Sequence, residues 1–391
     1  MKRFDFIAQS GAGVGAAAAS SVPAANDADA ARDSSWTLPR ATSLEHWSAW
    51  ADVPGVAVAR VREGRIASVF AGTRIAGAEA PVGPHTIFEA ASLSKPVFAL
   101  AVLQLVRAGR IDLDRSLDDY LPVPYPIADD RARRISARHV LSHTSGLPNW
   151  RSRASQPLRL AFDPGARFSY SGEGFYFLQT VVERIVGTGI AAYLQDAVLR
   201  PLGMRSSAYV WWPDAADSLA RPHDADGRPS ETRTMGLGAQ LLKLAEASGV
   251  PLASWTSDRV MRALPQLDPL QTAVPLHAFP NVATSLLTTA NDYAQFVAAA
   301  PLAKALSMFA PQVQVNRAIA WGLGIGLNLE DPEPRPFHWG DNDGYKNFVV
   351  LEPATRSGVV VLTNGDRGLN LAERSAEHVV GRRLASSLWI V

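Results

Sequence analysis

Apolar residues fill nearly every position of Val56-Ala57-Val58-Ala59-Arg60-Val61 and of Ile66-Ala67-Ser68-Val69-Phe70-Ala71. Arg62-Glu63-Gly64-Arg65 separates the two runs, so the pattern predicts a β-hairpin. Strands that are apolar on both alternating sets of side chains need cover on both faces, and helices must supply it. Ahead of them, Ser43-Leu44-Glu45-His46-Trp47 reads as a short capped helix. After them, the run Val97-Phe98-Ala99-Leu100-Ala101-Val102-Leu103 predicts a buried helix from near Ser92 to about Arg107. Gly109 is its stop, and Pro96 must fall in its opening turn, where no backbone bond is lost. From about residue 112 to 285 the signals are helices and long Pro-rich loops. Strands return at 320–327, 347–351 and 357–362, and an amphipathic helix from Leu369 to Leu388 closes the chain. Strands at both ends with helices between them imply an α/β (α+β) fold. One antiparallel sheet, built from about 43–111 and 286–391, would carry helices on both faces and an inserted all-helical subdomain, about 112–285.

Composition narrows the class. Of 391 residues, 47% are hydrophobic and 19% charged, which suits a globular protein with a large core. The net charge of +1 and the scattered arginines give no footprint for nucleic acid. The cluster Arg131-Ala132-Arg133-Arg134 with Arg138 follows Asp129 and Asp130 and reads as a solvated face. With no cysteine, disulfides, thiolate metal sites and cysteine nucleophiles are excluded together. Met1-Lys2-Arg3, then Phe4, Phe6, Ile7 and an Ala/Gly tract to Ala19, has the layout of a secretory signal. Residues 1–25 are therefore expected to be a signal peptide of twin-arginine-like or Sec type, 26–42 a linker and 43–391 the domain, placing the protein in the periplasm or outside the cell. The stretch is too short and Gly-rich to span a membrane, so no integral membrane segment is expected. Gly11-Ala12-Gly13-Val14-Gly15-Ala16 fits a dinucleotide fingerprint by letters only, because no βαβ unit follows it.

The chemistry concentrates at Ser92-Leu93-Ser94-Lys95. Positions i and i+3 of a helix share a face, so the Ser92 hydroxyl and the Lys95 amine can meet. Only 5 of the 38 basic residues are lysines. A desolvated lysine can release its proton, which an arginine cannot, and an adjacent base is what activates a serine. Tyr170, delivered by Asp163-Pro164-Gly165 to a loop ahead of a helix from about Phe175 to Ile185, is a second proton acceptor if a nearby ammonium favours its phenolate. Pro336-Phe337-His338-Trp339-Gly340 reads as an edge strand whose final glycine lets a substrate backbone approach closely and which aims a peptide N–H at a developing oxyanion. No G-x-S-x-G elbow occurs. His139 and His143 lie i,i+4 on an expected helix 137–143, but without the glutamate or third ligand of a zinc site they read as packing and loop-bonding residues. Asp341-Asn342-Asp343-Gly344 reads as a tight turn between strands rather than a calcium loop. Trp211, Trp212 and Trp339 read as core side chains before pocket walls.

Taken together and in this order, Ser92-x-x-Lys95, Tyr170-Ser171-Gly172 and His338-Trp339-Gly340 resemble the three motifs of the serine β-lactamase and penicillin-binding-protein family. The resemblance is to its class C β-lactamase, DD-carboxypeptidase and EstB-type esterase branch. The stretches 138–148 and 162–171 are similar to that branch as well, and the likeness covers about 45–391. It implies a β-lactamase/transpeptidase-like fold and a serine hydrolase acting on an amide or ester: a small-molecule or short-peptide substrate, no cofactor and no metal. Ser92 would form an acyl-enzyme, Lys95 and Tyr170 would share the proton traffic, and the amides of Ser92 and Asp341 would hold the oxyanion, with Gly172, His338 and Gly340 lining the substrate site. Two departures from the family pattern stand out. His338 occupies a position where class C β-lactamases carry lysine, and Gly172 one where asparagine is common. Both favour a DD-peptidase-like enzyme or an esterase over an efficient β-lactamase. A non-catalytic sensor or peptidoglycan-binding member of the fold is the alternative from another class, and the intact Ser/Lys/Tyr set argues against it. Nothing in the sequence fixes the oligomeric state.

Overall fold

In the computed structural model, residues 36–151, 156–230, 233–267, 280–329 and 334–390 are described. The signal segment, the Gly11–Ala16 fingerprint and most of the linker lie outside them. The strands are β1 (Gly55–Arg62), β2 (Arg65–Gly72), β3 (Phe88–Glu89), β4 (Leu287–Thr288), β5 (Val313–Gln314), β6 (Ile319–Trp321), β7 (Gly326–Asn328), β8 (Arg335–Asn342), β9 (Tyr345–Glu352) and β10 (Ser357–Thr363). Eight of them form one antiparallel sheet in the order β2-β1-β10-β9-β8-β7-β6-β5, while β3 pairs with β4. The first and last strands of the chain lie side by side, Val58 opposite Val361. The β1–β2 hairpin turns at Glu63 and Gly64, both at positive φ (52° and 77°), which matches the right-handed twist of the strands it joins.

Alternation along the strands explains the layers. Val56, Val58, Phe348, Val350, Val359 and Val361 point to one face and pack with Leu44, Leu371 and Val379 from helices Ala41–Trp50 and Gly368–Val380. Ala57, Ala59, Val349, Leu351, Val360 and Leu362 point to the other and join the larger core around Phe98, Phe175 and Phe296. Helices cover both faces, as strands without a polar side require. Between 112 and 285 all the described elements are helical. Among the described residues no helix is long and apolar enough to cross a membrane.

Four expected boundaries move, each for a local reason. The run at 320–327 is a hairpin of β6 and β7, because Gly324 turns the chain at φ +81°. The closing helix stops at Val380, capped by Gly381 at φ +80°, and a short helix Ser386–Trp389 follows. The first helix begins at Ala41 with no side-chain cap, so Ser43 is not its N-cap. The helix expected from Phe175 begins at Gly172, because the Ser171 hydroxyl accepts the Gly174 N–H at 3.0 Å.

A buried ion pair anchors the entrance to that helix. Arg151 donates from Nε and Nη2 to the Glu173 carboxylate at 2.8 and 2.7 Å, with side-chain exposures of 9% and 0%. Arg151→Ala is therefore expected to cost about 3–5 kcal/mol in denaturant unfolding, since it strands a buried charge. The double variant Arg151→Leu/Glu173→Leu should recover most of that loss.

Candidate active site

From Thr86 to Leu100 every residue is buried except Ser92. This serine sits in a single 3-10 turn, Ala91–Leu93, that runs into the helix Ser94–Arg107. Ala91 is left-handed at φ +52°, a conformation that costs an alanine of order 1–2 kcal/mol. The surroundings hold it there. Ser94 Oγ donates to Ala91 C=O at 2.6 Å and accepts the Leu286 N–H at 3.0 Å. Tyr209 and Tyr293 donate their hydroxyls to Ser94 C=O and Leu93 C=O at 2.7 and 3.0 Å.

Lys95 follows one turn later and is 1% exposed. Its Nζ donates to Ser92 Oγ at 2.9 Å and to Ala283 C=O at 2.8 Å. Burial holds the amine pKa well below its ordinary value, which favours the neutral form. Once neutral, the amine offers a lone pair toward the serine, and the same contact then runs from the hydroxyl to Nζ.

Tyr170 lies across this pair, its ring centroid 4.8 Å from Lys95 Nζ. Its hydroxyl is buried and has no hydrogen-bond partner among the described residues, although Ser92 is near enough to lower its pKa somewhat. Burial, reinforced by the Asp341 charge, outweighs that effect and raises the phenol far above its usual range. The expectation of a lysine-stabilised phenolate is thereby corrected: with Lys95 desolvated as well, the free site holds a neutral phenol. Beneath Tyr170 stacks His143, with centroids 4.1 Å apart. Helix Ala137–Leu141 ends before His143, which turns back at φ +55° and accepts the Ser171 N–H on Nδ1 at 3.0 Å. His139 accepts the Ser136 N–H in a capping box at 3.2 Å. The two histidines thus hold separate loops, the packing and bonding roles expected of them.

The β8 strand closes the site. β7 pairs only with residues 335–337, which leaves one edge of 338–342 open. Asn342 and Tyr345 flank the two-residue Asp343-Gly344 turn and pair across it, so Asp341, one position on, turns its amide to the open edge. A Cβ on Gly340 would overlap the Ala90 carbonyl and lie 3.0 Å from Asn347 Nδ2. Glycine is what lets β8 approach the serine turn. Asp341 is exposed and paired with Lys346 at 2.8 Å. Asn342 then ties three segments together: its Nδ2 donates to Glu89 at 2.9 Å, and its Oδ1 accepts the Thr284 hydroxyl at 2.8 Å.

His338 is wholly buried, among Tyr170, Trp321 and Trp339. Burial, aided by Lys95, pushes its pKa down to about 3. The neutral ring places Nδ1 2.7 Å from Trp339 C=O, and a carbonyl can only accept, so Nδ1 carries the proton. Gly172 is likewise buried, beneath the Trp150 indole, and its N–H is taken by Asn149, so it offers no group to a substrate. Ser92, Lys95 and Tyr170 therefore meet, with Gly340 against the serine turn and Asp341 on the open strand edge, whereas His338 is buried beside Tyr170 and Gly172 beside Trp150. Sequence reasoning missed the Ala283 carbonyl, which lies 188 residues from Lys95, and Trp150, whose only trace was the glycine it covers.

This arrangement, a partly exposed serine bonded to a buried lysine beneath a tyrosine and an open strand edge, is that of a β-lactamase-fold serine hydrolase. Residues 46–380 match the model of the Beta-lactamase family, and the chain belongs to that family. It is 29% identical to Esterase EstB of Burkholderia gladioli over 304 residues, 70% of this chain and 69% of that protein. It is 22% identical over 340 residues to Protein flp of Staphylococcus aureus, where the match covers 83% of this chain but only 62% of flp. A class C β-lactamase structure superposes with a TM-score of 0.65 at 17% identity, covering 92% of this chain and 98% of that one, which is a likeness of fold.

His338 is expected to stay neutral, with the proton on Nδ1, from pH 8 down to pH 5 in imidazole nitrogen NMR. Its folded pKa lies below the unfolded value near 6.5. The stability it contributes is therefore full above pH 6.5 and is lost as pH falls toward 3.

Proposed function

We propose that this protein is a serine esterase that cleaves neutral carboxylic esters through an acyl-Ser92 intermediate. The observation that carries the reading is the charge state of the site. A substrate with a terminal carboxylate, such as a D-Ala-D-Ala peptide or a β-lactam, needs a cation beside β8. His338 stands there buried and uncharged, and Lys346 is neutralised by Asp341 and Asp366 at 2.8 and 2.9 Å. The similarity to EstB points the same way.

In the proposed reaction, neutral Lys95 accepts the Ser92 proton as Oγ attacks the ester carbonyl. The amides of Ser92 and Asp341 hold the resulting oxyanion, and one such donor typically supplies about 3–4 kcal/mol to the transition state. On collapse the C–O bond to the alcohol breaks, and the proton held by Lys95 passes through the Tyr170 hydroxyl to the departing alkoxide. A water then attacks the acyl-enzyme, giving its proton back along the same path, which releases the acid and restores Ser92. A phenol suits this relay, since it donates and accepts without resting as an anion.

A fluorophosphonate should add one label per chain, on Ser92 by intact and peptide mass spectrometry. Ser92→Ala should remain folded and lose label and p-nitrophenyl ester hydrolysis by a factor on the order of 10⁴ or more. Undiminished hydrolysis in that variant would overturn the mechanism. In stopped-flow, Lys95→Met should slow acylation at least ~100-fold with little change in substrate binding, the usual size of a general-base contribution. An unchanged acylation rate would remove Lys95 from its role.

A further inference from the structure

Asp341 carries a carboxylate on the same residue whose peptide N–H lies on the open edge of β8. Left bare, that charge would oppose any oxyanion the amide is to hold. The hairpin that bears it is stitched to the serine turn on either side of Asp341. Gly340 lies against the Ala90 carbonyl, and Asn342 Nδ2 donates to Glu89 Oε2 at 2.9 Å. Asn347, opposite Gly340 in the register, donates from Nδ2 to Glu89 C=O at 3.0 Å. Asp341 thus sits between two residues fixed against the segment that leads into Ser92. Its charge also reaches the Tyr170 phenol, where it works against ionisation.

Lys346 meets that carboxylate. It stands opposite Asp341 in the β8–β9 register, with Nζ 2.8 Å from Asp341 Oδ1. The same Nζ donates to Asp366 Oδ1 and to Asn342 C=O, each at 2.9 Å, and Asp366 Oδ1 accepts the Gly344 N–H at 2.7 Å. The Lys346 side chain is 14% exposed and that of Asp341 56%, so the ammonium is the fixed partner of the pair. Burial works against its charge, but the two carboxylates outweigh burial and hold its pKa above the ordinary value.

We propose that Lys346 is a positioning residue for the oxyanion site, which neutralises the Asp341 carboxylate so that the Asp341 amide can stabilise negative charge. The inference rests on the esterase reading above and adds a residue that touches neither substrate nor Ser92. Without Lys346 the carboxylate would face the ester oxygen uncompensated. The cost falls on the transition state, where that oxygen is charged, and not on binding of the neutral ester.

The test is a double-mutant cycle of Lys346→Met and Asp341→Asn, read as the acylation rate with p-nitrophenyl acetate in stopped-flow. Lys346→Met should slow acylation at least ~10-fold while substrate binding changes less than about twofold. In the Asp341→Asn background the same substitution should cost less than about threefold, because the charge it exposes is gone. An equal cost in both backgrounds would overturn the proposal, since Lys346 would then act only through its bonds to Asp366 and Asn342. An acylation rate unchanged by Lys346→Met would overturn it as well. Melting curves identify a variant that has not folded, and if Lys346→Met fails, Lys346→Gln takes its place in the cycle. Either negative result leaves Ser92 labelling, and with it the esterase reading, intact. A wild type that takes no fluorophosphonate and cleaves no p-nitrophenyl ester would overturn that reading, and this inference with it.

Discussion

The contact between Lys95 and Ser92 depends on a dry environment, and much of the molecule is arranged to provide it. An amine in water near neutral pH is an ammonium and cannot take a proton. Here Nζ lies beneath Tyr170 and beside Phe175, with a single backbone carbonyl, Ala283 C=O, as its other partner. One carbonyl is poor solvation for a cation, so burial holds the amine pKa well below its ordinary value and favours the neutral form. The serine bonded to it is the only residue between Thr86 and Leu100 that reaches the surface. The site thus sets a dry amine against a partly exposed hydroxyl.

The two-sided sheet makes this possible. Because β1, β9 and β10 are apolar toward both faces, one face joins the larger core that encloses the serine helix together with residues of the helical region. Fourteen residues of that helix, Ser94–Arg107, include eleven that are buried, enough to keep Lys95 from swinging out to water. Glycine at 340 permits the close approach of β8 to the serine turn, and the register of β8 on β9 turns the Asp341 amide to the open edge. Asn342, bonded to both Glu89 and Thr284, fixes that edge relative to the serine turn and to the loop that carries Ala283.

Much of this was legible in the sequence, and the failures are instructive. The Ser92–Lys95 spacing is a local property, and it held although the serine sits in a 3-10 turn rather than the helix proper. Tyr170 was placed near the lysine correctly but in the wrong protonation state, because an argument from a neighbouring ammonium assumes that the ammonium persists. Gly172 was expected at the substrate surface and lies under Trp150, since a missing side chain says nothing about what fills its place. The run at 320–327 looked like one strand because apolar letters continue through its turn, where Gly324 alone breaks the direction.

By itself, the sequence determined whatever depends on neighbours along the chain: strand and helix periods, the hairpin at Glu63-Gly64, the serine-to-lysine spacing and the sheet built from both ends. Only the tertiary structure decided the charges. Burial shifts a lysine, a tyrosine and a histidine each toward the neutral form here because segments far off in sequence remove their water, as the Ala283 loop does 188 residues from Lys95. Desolvation is a property of a volume, and no local run of residues encloses one.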